Sequence, residues 1–194
     1  MIYDTKISDS IYKASESLLD GEIIIYPTDT LYGFGVDATN TRAIRKLNEL
    51  KNRKTPYSII VSCMNMLKKY AVLTSEVEDK IHSMLPGPVT IILNKLNSNL
   101  SSLVTLDLNT VGLRIPDNDF ILNVVKQVDR PIITTSINRH GEEALNNIDH
   151  IILKYDSINI FKDDISRESK GSTIIDFSTK PFKILRQGDK KINL

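Results

Sequence analysis

The 194-residue chain lacks most of the features that assign a function quickly. It has a single cysteine, Cys63, which excludes an internal disulfide and a zinc site built on cysteines. Cys63 stands among Val61, Met64 and Met66, where a small buried hydrophobe is the expected role. Its three histidines, His82, His140 and His150, share no metal-ligand spacing and read as surface or helix-end residues. Neither sign of charge dominates: Lys and Arg number 25, Asp and Glu 24, for a formal net charge of +1. That balance excludes a histone-like or tail-driven nucleic-acid binder but leaves room for a locally basic cleft. No apolar run approaches the roughly 18 residues of a membrane helix. Met1 leads into Ile2-Tyr3-Asp4-Thr5-Lys6 and not into a basic-then-apolar leader, so a cytoplasmic protein is expected. There is no Gly-x-x-x-x-Gly-Lys-Ser/Thr phosphate loop and no Gly-x-Ser-x-Gly elbow; Lys170-Gly171-Ser172-Thr173 lacks the upstream glycine. Gly33-Phe34-Gly35-Val36-Asp37-Ala38 has dinucleotide-loop spacing, but Pro27 to Tyr32 separates it from the preceding strand and no acid follows near Ser58. Internal repeats and low-complexity tracts are also missing.

What is present is an α/β pattern. With 41% hydrophobic residues the chain can bury one good core. Apolar spacing predicts helices over 8–19, from a cap at Thr39 or Asn40 to the cluster Lys51-Asn52-Arg53-Lys54, over 64–70, 74–85 and 120–128 (capped by Asp117), and over 147–153. Strands are expected at 23–26, 57–61, 89–93, 110–114, 131–135, 157–161, 172–177 and 182–186. Residues 97–109 read as a loop, and Arg42, Arg45, Lys46 and Lys51 as basic positions off the apolar face of the second helix. Helices and strands interleave without strict alternation. The expectation is a single α/β domain over 1–194, core about 8–188, on a mixed sheet flanked by helices.

The stretch Tyr26-Pro27-Thr28-Asp29-Thr30-Leu31-Tyr32-Gly33-Phe34-Gly35 draws attention first. An apolar strand stops at a proline and continues into hydroxyls, a carboxylate and a Gly-x-Gly bend. Such a strand end is either a polar turn or one wall of a ligand site. Cations and small hydroxyls recur at other strand and helix ends: Lys51 and Arg53; Arg114; Thr135, Ser136 and Asn138; Ser172 and Thr173; Arg186. Each alone is an ordinary surface charge or turn cap. Together they can converge on a polyanion, and a nucleoside triphosphate with an amino-acid carboxylate suits such a lining.

Seven pieces in order carry a resemblance. They are Tyr26-Pro27-Thr28-Asp29-Thr30 with Tyr32-Gly33-Phe34-Gly35, Lys51-x-Arg53, Pro86-Gly87-Pro88-Val89-Thr90, Gly112-Leu113-Arg114-Ile115-Pro116, Thr135-Ser136-Ile137-Asn138, Gly171-Ser172-Thr173-Ile174-Ile175-Asp176, and Leu185-Arg186-Gln187-Gly188. From about Ser8 to Gly188 the chain resembles the YrdC-like threonylcarbamoyl-AMP synthases. The resemblance implies a twisted mixed sheet around a positively charged cleft. It implies a nucleotidyltransferase that makes L-threonylcarbamoyl-AMP and pyrophosphate from L-threonine, bicarbonate and ATP with Mg2+. The threonylcarbamoyl group is then passed by other enzymes to tRNA. Residue by residue, it implies that Lys51, Arg53, Thr110, Ser136, Asn138 and Arg186 face the nucleotide, with Lys51 and Arg53 stabilising charge. Thr28 or Thr30, Arg114 and Ser172 are implied near the threonine. No metal ligand and no general base is evident, Asp29 being the one carboxylate in reach of the argument. The chain departs from the family pattern at Ile137, where alanine is usual, at Gln187, where proline is usual, and in 57–62, where many members carry a histidine. Two other readings compete: a non-catalytic double-stranded RNA or tRNA binder using Arg42, Arg45, Lys46, Lys51, Arg53 and Lys54, and an acyl- or carbamoyl-adenylate former with another amine substrate.

Overall fold

The structure is a computed structural model that describes residues 1–139, 141–163 and 168–193. The prediction for His140 lies outside them. Among the described residues, ten short strands form one twisted sheet: β1 (Ile2–Asp4), β2 (Ile24–Tyr26), β3 (Gly33–Gly35), β4 (Ser58–Ile60), β5 (Val89–Asn94), β6 (Thr110–Arg114), β7 (Ile132–Ser136), β8 (Asn159–Lys162), β9 (Thr173–Asp176) and β10 (Lys183–Arg186). Their spatial order is β1-β8-β2-β3-β7-β4-β6-β5-β9-β10. The sheet is mixed as expected: β2/β8, β4/β6 and β5/β9 are parallel, whereas β2/β3, β3/β7, β4/β7 and β5/β6 are antiparallel.

Seven helices among the described residues join them: α1 (Asp9–Leu19), α2 (Thr41–Lys51), α3 (Met64–Leu67), α4 (Ser75–Ile81), α5 (Ser102–Thr105), α6 (Asp119–Val128) and α7 (Ile148–Lys154). Helix α2 starts where Asn40 accepts hydrogen bonds from the backbone N–H groups of Arg42 and Ala43. It stops at Asn52, which takes a left-handed conformation (φ 48°). Helix α6 is capped by Asn118, which accepts from the Ile121 N–H, and not by Asp117. Residues 97–109 contain the short helix α5.

The sequence missed two strands. β1 is three residues long and pairs in parallel with β8, a contact distant in sequence that leaves no local pattern. β3 consists of Gly33, Phe34 and Gly35, read from the sequence as a bend. Glycine weakens strand propensity, yet here close packing requires it. A Cβ on Gly35 would lie 2.5 Å from the Tyr26 ring, and one on Gly33 would lie 3.1 Å from the Thr135 carbonyl. Cys63 is exposed and not buried, because it sits in the turn that opens α3.

Strand alternation positions the site. Cross-strand pairing aligns Ile133, Ile59, Leu113, Ile91 and Ile175 on one face, and all five are fully buried core. The intervening residues Thr134, Ser58, Arg114, Thr90 and Ile174 therefore share the opposite face. That face is polar, and it forms the floor of a cavity.

Candidate active site

The cavity has a volume of about 390 Å³. Its floor is the polar sheet face. Its walls are the segment after β2, the turn after β7, the segment before β9 and the end of β10.

On the β2 side, Thr28 and Thr30 are buried and linked. The Thr28 hydroxyl donates to the Leu31 carbonyl (2.7 Å) and accepts from the Thr30 N–H (3.1 Å). Its one proton is thus committed, so across the 3.0 Å contact between the two hydroxyls Thr30 donates to Thr28. Arg114 enters from the end of β6. Its Nη2 donates to Asp29 Oδ1 at 2.7 Å and to Thr30 Oγ1 at 3.3 Å. Both charged side chains are nearly buried, so each supplies the counter-charge that makes the other tolerable. Asp29 Oδ2 accepts from the Asp117 N–H (3.1 Å). Asp29 is therefore the counter-ion of Arg114, with both oxygens engaged, and not the free carboxylate a general base requires. The Nε of Arg114 is buried without a hydrogen-bond partner among the described residues.

On the opposite wall, Ser172 is fixed by two side chains. Thr90 Oγ1 lies 2.8 Å from its hydroxyl, and Arg186 donates to its carbonyl through Nε (3.0 Å) and Nη2 (2.7 Å) and to its hydroxyl through Nη2 (3.1 Å). Burial, with Arg114 adding to it and Asp189 opposing, lowers the Arg186 pKa from its ordinary value. The crossing of the segments before β9 and after β10 is tight. A Cβ on Gly188 would run into the Gly171 carbonyl.

The third wall is the turn after β7. The Ser136 hydroxyl donates to Asn138 Oδ1 (2.7 Å), and Asn138 Nδ2 donates to the Glu142 carbonyl (2.7 Å). Arg53 stacks over the Tyr57 ring at 4.7 Å and donates to the carbonyls of Thr55 (3.2 Å) and Pro56 (2.6 Å) and to Thr135 Oγ1 (3.4 Å). Lys51 lies behind this wall, 1% exposed, and donates to the carbonyls of Ser136 and Asn138 (both 2.6 Å) and to Asn138 Oδ1 (3.0 Å). Burial pushes its ammonium down to about 8, the Arg53 charge adding to the drop and Glu142 opposing it. Lys51 sits four residues after Leu47 and seven after Ile44, so it extends the apolar face of α2 and does not lie off it as the sequence reading had it. It therefore also drops out of the proposed basic RNA-binding surface, where Lys46 likewise folds back to the Gly21 carbonyl.

Of the sequence-derived site residues, Thr28, Thr30, Arg53, Arg114, Ser136, Asn138, Ser172 and Arg186 line this one cavity. Thr110 does not: it begins β6, four residues and about 13 Å of extended strand from Arg114. Ser58, Thr134, Glu142 and Ser169 line it unannounced, as do Thr90 and Lys170, which the sequence showed in motifs but without a site role. Strand alternation from Arg114 could have found Ser58 and Thr90; Glu142 and Ser169 left no periodic signal. Glu142 is the one carboxylate in the lining among the described residues. No cluster of three or more His, Cys, Asp or Glu side chains able to hold a metal ion occurs among them. No described helix is long and apolar enough to cross a membrane.

Known proteins resemble this chain in sequence and in fold. A Methanocaldococcus jannaschii protein, provisionally named a threonylcarbamoyl-AMP synthase, is 37% identical over 182 residues, 89% of this chain and 83% of that one. The threonylcarbamoyl-AMP synthase of Vibrio campbellii is 29% identical over 180 residues, 89% of this chain and 96% of its own. The crystal structure of Pyrococcus abyssi Sua5 complexed with L-threonine superposes with a TM-score of 0.89 at 27% identity, covering 97% of this chain and 57% of that protein. The family model for Sua5, YciO and YrdC, described as "Telomere recombination", matches residues 16–188. The chain belongs to the Sua5/YciO/YrdC family.

Proposed function

We propose that this protein is an L-threonylcarbamoyl-AMP synthase, joining L-threonine, bicarbonate and ATP into threonylcarbamoyl-AMP, pyrophosphate and water. One observation carries the reading. A single cavity gathers Thr30, Arg114, Ser172, Arg53, Ser136 and Asn138 above a polar sheet face. Relatives bearing this activity's name, and one structure solved with L-threonine, support it.

The residues divide by the charge they meet. The buried Arg114 Nε lacks a partner among the described residues, a state that costs about 1–3 kcal/mol and that a ligand carboxylate relieves. The threonine carboxylate is that ligand, with the Ser172 hydroxyl and the Thr28–Thr30 pair beside it. The threonine amine then attacks the carbon of bicarbonate-derived CO2 and becomes a carbamate, losing a proton. A carbamate oxygen attacks the α-phosphorus of ATP, and the bond to the β-phosphate breaks to release pyrophosphate. Neither step needs a covalent enzyme intermediate. Both need three substrates held together and negative charge neutralised, the work of Arg53, Arg186 and the donors of the β7 turn. Among the described residues the lining holds one carboxylate, too few for a protein-held metal site, so Mg2+ enters as part of the substrate, carried on the ATP phosphates. The product supplies the threonylcarbamoyl group for transfer to tRNA by other enzymes. The test is threonine-dependent pyrophosphate release, with other amino acids offered in parallel to separate an adenylate former of different amine specificity.

A further inference from the structure

Lys51 and Arg53 stand two residues apart, yet the structure gives them different work. An ammonium has three N–H donors. Those of Lys51 meet three acceptors, the carbonyls of Ser136 and Asn138 and Asn138 Oδ1, at 2.6–3.0 Å. None is left for a phosphate, and at 1% exposure the side chain does not reach the cavity surface. A guanidinium has five donors. Arg53 uses one at each nitrogen, on Thr55, Thr135 and Pro56, and keeps two without partners among the described residues, in the cavity lining.

We infer that Lys51 is a positioning residue that clamps the turn after β7, and that Arg53 is the partner of the pair that meets the triphosphate. The inference rests on the proposed function for the identity of the ligand, but not for the clamp. The clamp has a clear object. Asn138 Oδ1 accepts from both Lys51 Nζ and Ser136 Oγ, while its Nδ2 donates to the Glu142 carbonyl. One ammonium thus fixes the Asn138 rotamer, the Ser136 hydroxyl direction and the path of the chain to Glu142. The aliphatic stem lies on the core side, with Nζ 5.5 Å from the centre of the Phe34 ring. A lysine suits this role better than an arginine. Its donors fan out from one atom onto three oxygens that belong to one turn.

Two measurements test it. The ligand-free protein is treated with a limiting amine-acetylating ester and each lysine is read by mass spectrometry. Lys51 is expected to react at least about ten-fold more slowly than exposed Lys54, with ATP leaving its rate unchanged. Reaction at the Lys54 rate, or suppression by ATP, overturns the clamp. The second is a mutant cycle in the pyrophosphate assay. Lys51→Met is expected to raise KM for ATP about ten-fold while KM for L-threonine stays within about two-fold, and to add less than about two-fold in an Asn138→Ala background. Arg53→Met keeps its full effect in that background. Equal Lys51→Met factors in both backgrounds overturn the inference. If Lys51→Met does not fold, the acetylation result decides alone. If the wild type binds no ATP, the proposed function falls while acetylation of the free protein still decides the clamp.

Discussion

Arg114 and Asp29 are the residues on which the Thr28–Thr30 side of the cavity depends. Each is nearly buried and each is the other's counter-charge at 2.7 Å. Asp29→Asn leaves the Arg114 charge uncompensated and should destabilise the fold by about 3–5 kcal/mol in urea denaturation. Adding Arg114→Leu should recover part of that loss, and additive losses would contradict the pairing. Lys51 gives a prediction in pH. Its folded pKa, about 8, lies below its ordinary 10.5. Below pH 8 both states are protonated and the folded state carries the full penalty of burying the charge. Between 8 and 10.5 the unfolded chain binds the proton more tightly, so folding stability contributed at this site rises with pH. Wild type should gain stability relative to Lys51→Met across that window in parallel denaturation series. A difference that stays flat with pH would contradict it.

Among the elements, α2 and β3 set the geometry. Helix α2 delivers Lys51 from its last turn, so loosening its start should be felt at the β7 turn. Asn40→Ala removes the acceptor for two helix N–H groups and should cost about 1 kcal/mol, read as a lower urea midpoint at unchanged slope. Strand β3 wedges between β2 and β7 and brings their ends into one wall. Gly35→Ala places a methyl 2.5 Å from the buried Tyr26 ring and should cost about 1–3 kcal/mol by the same measurement, with an unchanged midpoint contradicting the tight packing. These two elements also mark where the sequence was and was not legible. The start of α2 could be read because a cap is a local signal: Asn40 stands directly before an apolar stripe. β3 could not, because its glycines are selected by cross-strand neighbours, Tyr26 and Ile132 at Gly35 and Thr135 at Gly33, whose pairing leaves no local pattern. Lys51 was visible as part of a motif, but its burial required following the 44-47-51 stripe through a charged residue. Ser58 and Thr90 were hidden in apolar strands whose polar members mean little until the register places them beside Arg114.

At the scale of the whole molecule, one sheet separates an apolar core face from a polar cavity face. The cavity gathers residues from Thr28 to Arg186, nearly the full span of the fold. The mixed topology was legible because strand and helix signals interleave without alternation. The convergence of distant strand ends was legible only through the resemblance, since nothing local in Ser172 or Arg186 points to Thr28. The proposed function makes of these ends one synthase site. Its most direct test is pyrophosphate release by the folded protein supplied with ATP, Mg2+, bicarbonate and L-threonine. The account predicts release that stops when either threonine or bicarbonate is withheld, and that falls at least about ten-fold in Arg114→Ala. Folded protein that releases no pyrophosphate with all substrates present, or releases it equally without threonine, would contradict it.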